Sequence, residues 1–119
     1  MSNPTFRSGP ISFDVAEDVN KFRLVTVTKD GVKHAGAEGA IFGAVSESRK
    51  AADGLNVAVH YGVAAVKIET SDEFAAGDAV FAAADGKAAK TGTVQAGVAA
   101  RPSRDGFVVT ILNGLPHTA

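Results

Sequence analysis

The residues able to do chemistry are few in this chain, and their spacing keeps them from acting together. His34, His60 and His117 lie far apart, with no i, i+4 or close-pair spacing to set two imidazoles on one metal ion. His60 follows Val57 and Val59 in an alternating run, so a period of two turns it away from both, toward solvent or a subunit contact. Ser46, Ser48, Ser71 and Ser103 stand in turn-like surroundings without a G-x-S-x-G elbow, and read as turn or cap residues rather than nucleophiles. Asp72 and Glu73 are adjacent; in an extended chain they point apart, and in a first helical turn they would favour the dipole, so paired acid and base work is not expected. The glycines at 36, 39 and 43 lack the G-x-G-x-x-G spacing, and Gly86-Lys87 has no Gly at the phosphate-loop distance before it. Cysteine is absent, which removes disulfides, thiolate metal sites and a thiol nucleophile together. No catalytic, cofactor-binding or metal-ligating residue is expected, and the chain reads as a non-enzyme.

Charge narrows the partners. Twelve Lys and Arg against thirteen Asp and Glu leave a formal net charge of -1, too little field to bind phosphates by counterion release, so no nucleic-acid partner is expected. Arg49, Lys50, Arg101 and Arg104 form a basic rim beside two corresponding loops; without interleaved aromatics it reads as a solvated or interface edge. No run approaches the ~20 apolar residues needed to span a bilayer, and Met1 to Arg7 has no basic-then-apolar signal region. A soluble protein without a membrane partner or an export signal of its own is expected.

The elements that must position these residues are β-strands. At 119 residues the chain makes one domain, since two cores would each fall below a workable size. Apolar residues fall in short runs rich in Val, Ile and Phe and bounded by Gly or Asp-Gly. Phe22 to Thr28 runs into Lys29-Asp30-Gly31, where Gly31 supplies the positive φ of a tight turn. Further strands are predicted over 40–46, 55–61, 63–69, 79–83, 93–99 and 107–112. Short helical turns are predicted over 46–53 and 71–76, and both are too short to stand alone. Residues 1–20, with Pro4, Gly9 and Pro10, read as an extended arm anchored by Phe6, Ile11 and Phe13, ahead of a single β domain over 21–119.

An internal repeat is the most informative pattern. The stretch from Val27 to Ala35 resembles that from Ala82 to Lys90, with Asp30 and Asp85 offset by 55 positions, and Ile41 to Val45 answers Val94 to Ala99. Asp53 to Gly62 answers Asp105 to Gly114 at an offset of 52. Two copies, about 24–62 and 79–114, that pair their open edges predict an all-β small barrel or sandwich built from two similar half-units. A thin, Gly- and Ala-rich core of this size is also expected to gain from burial between subunits.

The same residues carry a resemblance. Asp30-Gly31-Val32 leads to Ile41-Phe42-Gly43-Ala44-Val45 and then to the run from Val57 to Val66. Phe74-Ala75-Ala76-Gly77-Asp78-Ala79-Val80-Phe81 and Asp85-Gly86-Lys87 follow. This sequence of motifs, from Leu24 to Leu112, resembles the bacteriophage head decoration, or capsid cement, proteins. The resemblance implies a trimer on the outer capsid surface of the virion, bound to the major capsid protein and locking neighbouring subunits with an N-terminal arm. By position the arm is Ser2 to Phe13, with Ser2, Asn3, Pro4, Thr5, Phe6, Arg7, Ile11 and Phe13 as contact residues; it would add a strand to an exposed edge of the shell, interrupted at Pro4 and Pro10. Candidate subunit-interface residues are His60, Tyr61, Phe74, Arg101 and Arg104. The other reading is a carbohydrate- or cell-surface-binding β domain displayed on a virion, which calls for exposed aromatic platforms; one Tyr and no Trp argue against it.

Overall fold

The computed structural model describes residues 11–113 and 115. It is all-β, as the sequence predicts: ten strands in two five-stranded sheets, with two single 3-10 turns at Ala51–Asp53 and Ala84–Gly86. The first sheet holds β1 (Ile11–Phe13), β2 (Arg23–Thr28), β3 (Gly31–His34), β4 (Gly43–Val45) and β5 (Val57–His60), in the order β1-β5-β4-β2-β3. The second holds β6 (Ala65–Glu69), β7 (Ala79–Ala82), β8 (Ala88–Ala89), β9 (Gln95–Ala99) and β10 (Phe107–Leu112), in the order β6-β10-β9-β7-β8. The two orders are the same, element for element. Each half is therefore one copy of a five-strand unit whose first strand pairs with its last.

Each sheet also curls back on itself by the same device. The chain leaving β1 reaches β3 through a parallel bridge between Val15 and Val32, where the Val32 amide donates to Asp14 O at 2.9 Å and the Ala16 amide to Val32 O at 2.9 Å. The chain leaving β6 reaches β8 through a parallel bridge between Thr70 and Ala88, where the Thr70 hydroxyl donates to Ala88 O at 2.8 Å. Further along, Val19 exchanges two backbone bonds with Arg49, and Phe74 bonds Ser103 through both the Ser103 amide and its hydroxyl. These matched contacts join sheet edges that would otherwise present open ladders.

Side-chain burial follows from that curl. Val25, Val32, Val45, Val57, Val59 and Val19 fill the concave side of the first unit. Each fully buried valine contributes on the order of 1.5–3 kcal/mol, and the β-branched type suits the pleat. Val66, Ile68, Val80, Ala99, Val108 and Leu112 fill the second, together with Phe74. Leu24 and Ala44, which are partners on the opposite face of the first sheet, join this second cluster and are fully buried. The convex face of unit one is thus packed against unit two.

Close backbone approach fixes one position in each copy. A Cβ on Gly43 would run into the His60 carbonyl, and a Cβ on Gly97 into that of Ile111. In both copies the glycine lies on the fourth strand of its unit and lets the fifth come close, which neither Ala nor any larger residue allows.

Two local expectations resolve differently from each other. Over 46–53 the helical stretch shrinks to the 3-10 turn at Ala51–Asp53, closed by Gly54 at φ 67°. Over 71–76 no helix forms. The Asp72 amide donates to Thr70 Oγ1, that of Phe74 to Ser103 Oγ and that of Ala75 to Asp78 Oδ2. Of these three amides only that of Ala75 would bond within an α-helix over this stretch, and it goes to Asp78 instead, while Ser103 ties Phe74 to the loop between β9 and β10.

Candidate interaction surface

The segment ahead of β2 is annealed to the first unit where it is described. Ile11, Ser12 and Phe13 register with Val59, Ala58 and Val57, so β1 is an edge strand of the sheet. The Phe13 ring meets Phe42 edge-on at 5.2 Å, and Phe42 meets Tyr61 at 5.8 Å. Ser2, Asn3, Pro4, Thr5, Phe6 and Arg7 lie outside the described residues, as does His117.

The other candidate positions separate by depth. Phe74 is 5% exposed and belongs to the larger core cluster. His60 is half-buried and registers with Ala44, so it shares the face that unit one turns toward unit two. Tyr61 is half-buried against Phe42. Arg101 and Arg104 are exposed on the loop between β9 and β10. The structure therefore brings Ile11, Phe13 and Tyr61 to one end of the first unit and Arg101 and Arg104 to a loop of the second.

That loop overlooks the convex face of the second sheet. Arg104 and Phe107 exchange both backbone bonds around Asp105-Gly106, and these two residues carry φ of 55° and 84°, the two left-handed residues of a tight hairpin turn. A shallow groove below it is lined by Lys67, Arg101, Pro102, Arg104, Asp105, Phe107 and Val109, three cations against one carboxylate. At its side the Phe107 ring packs edge-on against Phe22 at 5.1 Å, with Lys67 Nζ 5.4 Å from the Phe22 centroid and 5.5 Å from that of Phe107. Phe22 holds φ of 63°, uncommon for a residue with a bulky side chain. Its amide donates to Val45 O and its carbonyl accepts from the Glu69 amide, so hydrogen bonds to both units hold it there.

Beyond the groove runs an apolar row. Ala65 registers with Ile111, Ile111 with Val98, and Val98 with Ala79, so the four side chains line up across four strands on one face. Ile111 is 42% exposed, and Val63, just before β6, is 80% exposed. Sequence reasoning missed this row, although β10 carries its sign: Phe107, Val109 and Ile111 alternate with Val108, Thr110 and Leu112, making the strand apolar on both faces.

Electrostatics concentrate between the units. Arg23 on β2 donates to Glu69 Oε1 at 3.1 Å and to Asp85 O at 3.0 Å, while its buried Nε has no partner among the described residues. Lys87 Nζ lies 3.6 Å from the other Glu69 oxygen. Burial pushes the Glu69 carboxyl up, but the hydrogen bond and charge of Arg23, with Lys87, more than offset this and leave it below its usual value. His34 Nε2 accepts from the Asn20 amide at 2.9 Å, and burial together with Arg23 holds this imidazole below its ordinary value against the pull of Asp85 and Glu17. Among the described residues no group of three or more His, Cys, Asp or Glu side chains is placed to hold a metal.

Comparison with known proteins places this arrangement. The sequence model of a phage cement protein family matches residues 7–113, which takes in both units. Among solved structures, the chain is similar to the head fiber gp8.5 N base in bacteriophage phi29, with a TM-score of 0.68 and 18% sequence identity, covering 92% of this chain and 98% of that one. At that identity the likeness is one of fold. No curated protein matches.

Proposed function

The chain belongs to the phage cement protein family, and from that membership we propose that it binds the outer surface of the mature phage head, bridges neighbouring major capsid protein subunits as a homotrimer, and stabilises the shell. The observation that carries this reading is the family match across residues 7–113, which covers both five-strand units rather than one of them. A ligand that binds the assembled lattice and not its separated subunits stabilises the lattice by mass action, without any chemical step.

The first unit supports a role for the leading segment. Ile11–Phe13 form an edge strand of the first sheet, and an edge is where a chain can pair with another through main-chain bonds. The aromatic contact of Phe13 with Phe42 anchors this strand, the C-terminal end of the proposed arm, to the first unit.

The test uses expanded shells that lack this protein, mixed with the full chain and with a chain lacking residues 2–10. The full chain is expected to co-sediment with shells, and the shortened chain to keep its fold and remain in the supernatant. Equal binding by the shortened chain rejects the arm assignment. Failure of the full chain to bind rejects the capsid reading.

A further inference from the structure

We propose that the convex face of the second sheet is a docking surface for a protein segment of the shell that is apolar along its contacting side and acidic at its margin. The inference rests on the capsid reading and goes beyond it by assigning a face and the chemistry of its occupant.

Three observations converge there. The first comes from the internal duplication. Matching the registers of the two units, with Gly43 set on Gly97, places Leu24 on Ala79, Ala44 on Val98 and His60 on Ile111. In unit one Leu24 and Ala44 are fully buried in the cluster shared with unit two, and His60 is half-buried. In unit two Ala79 and Val98 are half-buried and Ile111 is 42% exposed. Among the described residues the unit's convex face is thus covered by a second unit once and left open once, as at the end of a stack of repeats.

The second is composition. Phe107, Val109 and Ile111 give β10 an apolar outer side as well as an apolar inner one, the pattern of a strand covered on both faces.

The third is charge. Lys67, Arg101 and Arg104 gather at the groove with a single carboxylate, Asp105, on a chain whose net charge is -1. Among the described residues Lys67 and Arg101 form no ion pair, and Arg104 has only its neighbour Asp105 at 3.9 Å, with both side chains about nine-tenths exposed. In the corresponding loop of unit one, Arg49 is engaged within the chain, donating to Asn56 O, Ser48 O and Glu47 Oε2. One copy of the loop keeps its guanidinium occupied internally, and the other, among the described residues, leaves Arg101 without an ion pair and Arg104 with only a long, exposed contact to Asp105, beside an apolar floor. Carboxylates on a protein segment satisfy such a rim, and the adjoining row of aliphatic side chains favours that occupant over duplex nucleic acid, whose outer surface is a charged phosphate backbone.

The experiment compares the full-length protein with Ile111→Glu, with Arg101→Glu/Arg104→Glu, and with a Lys29→Glu/Lys33→Glu control that matches the second in charge but lies on the β2–β3 hairpin of unit one. Binding to expanded shells is measured at low and moderate salt, beside circular dichroism and melting temperature. Both face variants are expected to melt like the wild type and to bind shells at least about tenfold more weakly, as for loss of a central apolar anchor or of charge-complementary contacts. The control is expected to bind normally, and the arginine variant to lose most of the salt dependence. Wild-type binding with indifferent face variants overturns this assignment and leaves the capsid reading standing, whereas failure of the wild type overturns both. Equal losses in the control would show a net-charge effect and overturn the assignment of the basic margin. Shell binding retained while self-association is lost, or loss confined to binding of naked phage DNA, would give the face to another occupant and also overturn the proposal.

Discussion

At the residue scale the decisive feature is the joint between the two units. Arg23 comes from the first, Glu69 and the Asp85 carbonyl from the second, and the Gly86 amide completes the seam by donating to Ala35 O at 2.7 Å. Nothing in Phe22-Arg23-Leu24-Val25 marks Arg23 as buried, because its partner is 46 positions away and only the fold brings it near. His34 is similar: its spacing from the other histidines says nothing of its bond to the Asn20 amide, which depends on how the leading segment crosses the sheet. Both groups make stability depend on pH in the same direction. Each is held below its ordinary value, 6.5 for His34 and 4.5 for Glu69, so the unfolded chain binds more protons than the folded one as pH falls past those values. Stability is expected to be full near neutrality, to decline as His34 is forced to take a proton, and to decline again in the acid range as Glu69 does. Urea titrations between neutral and acid pH check this. His34→Gln should flatten the upper part of the profile and Glu69→Gln the lower, and a profile unchanged in both variants would contradict the assignment.

At the element scale the strands were legible because their punctuation is chemical. Asp-Gly pairs at 30–31, 53–54, 85–86 and 105–106 mark turns, and each coincides with a turn or a 3-10 segment in the fold. Gly31 holds φ of 122° just after the Lys29-Asp30 turn, where a positive value was expected. The failed helix over 71–76 shows the limit of such reading. Ser71, Asp72 and Glu73 look like a helical first turn in isolation, but Thr70, Asp78 and Ser103 claim the amides once the sheet is formed. Nor does sequence alone reveal which glycines face a neighbouring backbone. Gly97→Ala is predicted to lower stability by roughly 1–3 kcal/mol, since β9 or β10 must shift to clear the Ile111 carbonyl. Equilibrium urea unfolding measures it; a neutral result would mean that β9 and β10 are not held together as closely as described.

At the scale of the whole molecule, the duplication explains both what was read from the sequence and what was not. Similarity between 24–62 and 79–114 was visible because turn residues recur at a nearly constant offset. The matching of β1 with β6 was hidden, since Ile-Ser-Phe and Ala-Val-Lys-Ile-Glu share only a strand-like pattern. Their equivalence appears in topology alone: each pairs with the last strand of its unit and each runs on to bridge the third. The asymmetry between the units then bears on the proposed function: unit one is covered by unit two and by its own leading segment, while among the described residues the convex face of unit two stays open beside Arg101 and Arg104. The proposed arm and the proposed face would together give two places at which to hold a shell, which is what a bridge between subunits requires. The most direct measurement is the heat-induced disassembly of expanded shells, followed by light scattering, with and without saturating amounts of this protein. A midpoint that rises with occupancy and levels off when the sites are full is the predicted result; fully occupied shells that come apart at the same temperature as bare ones would contradict it.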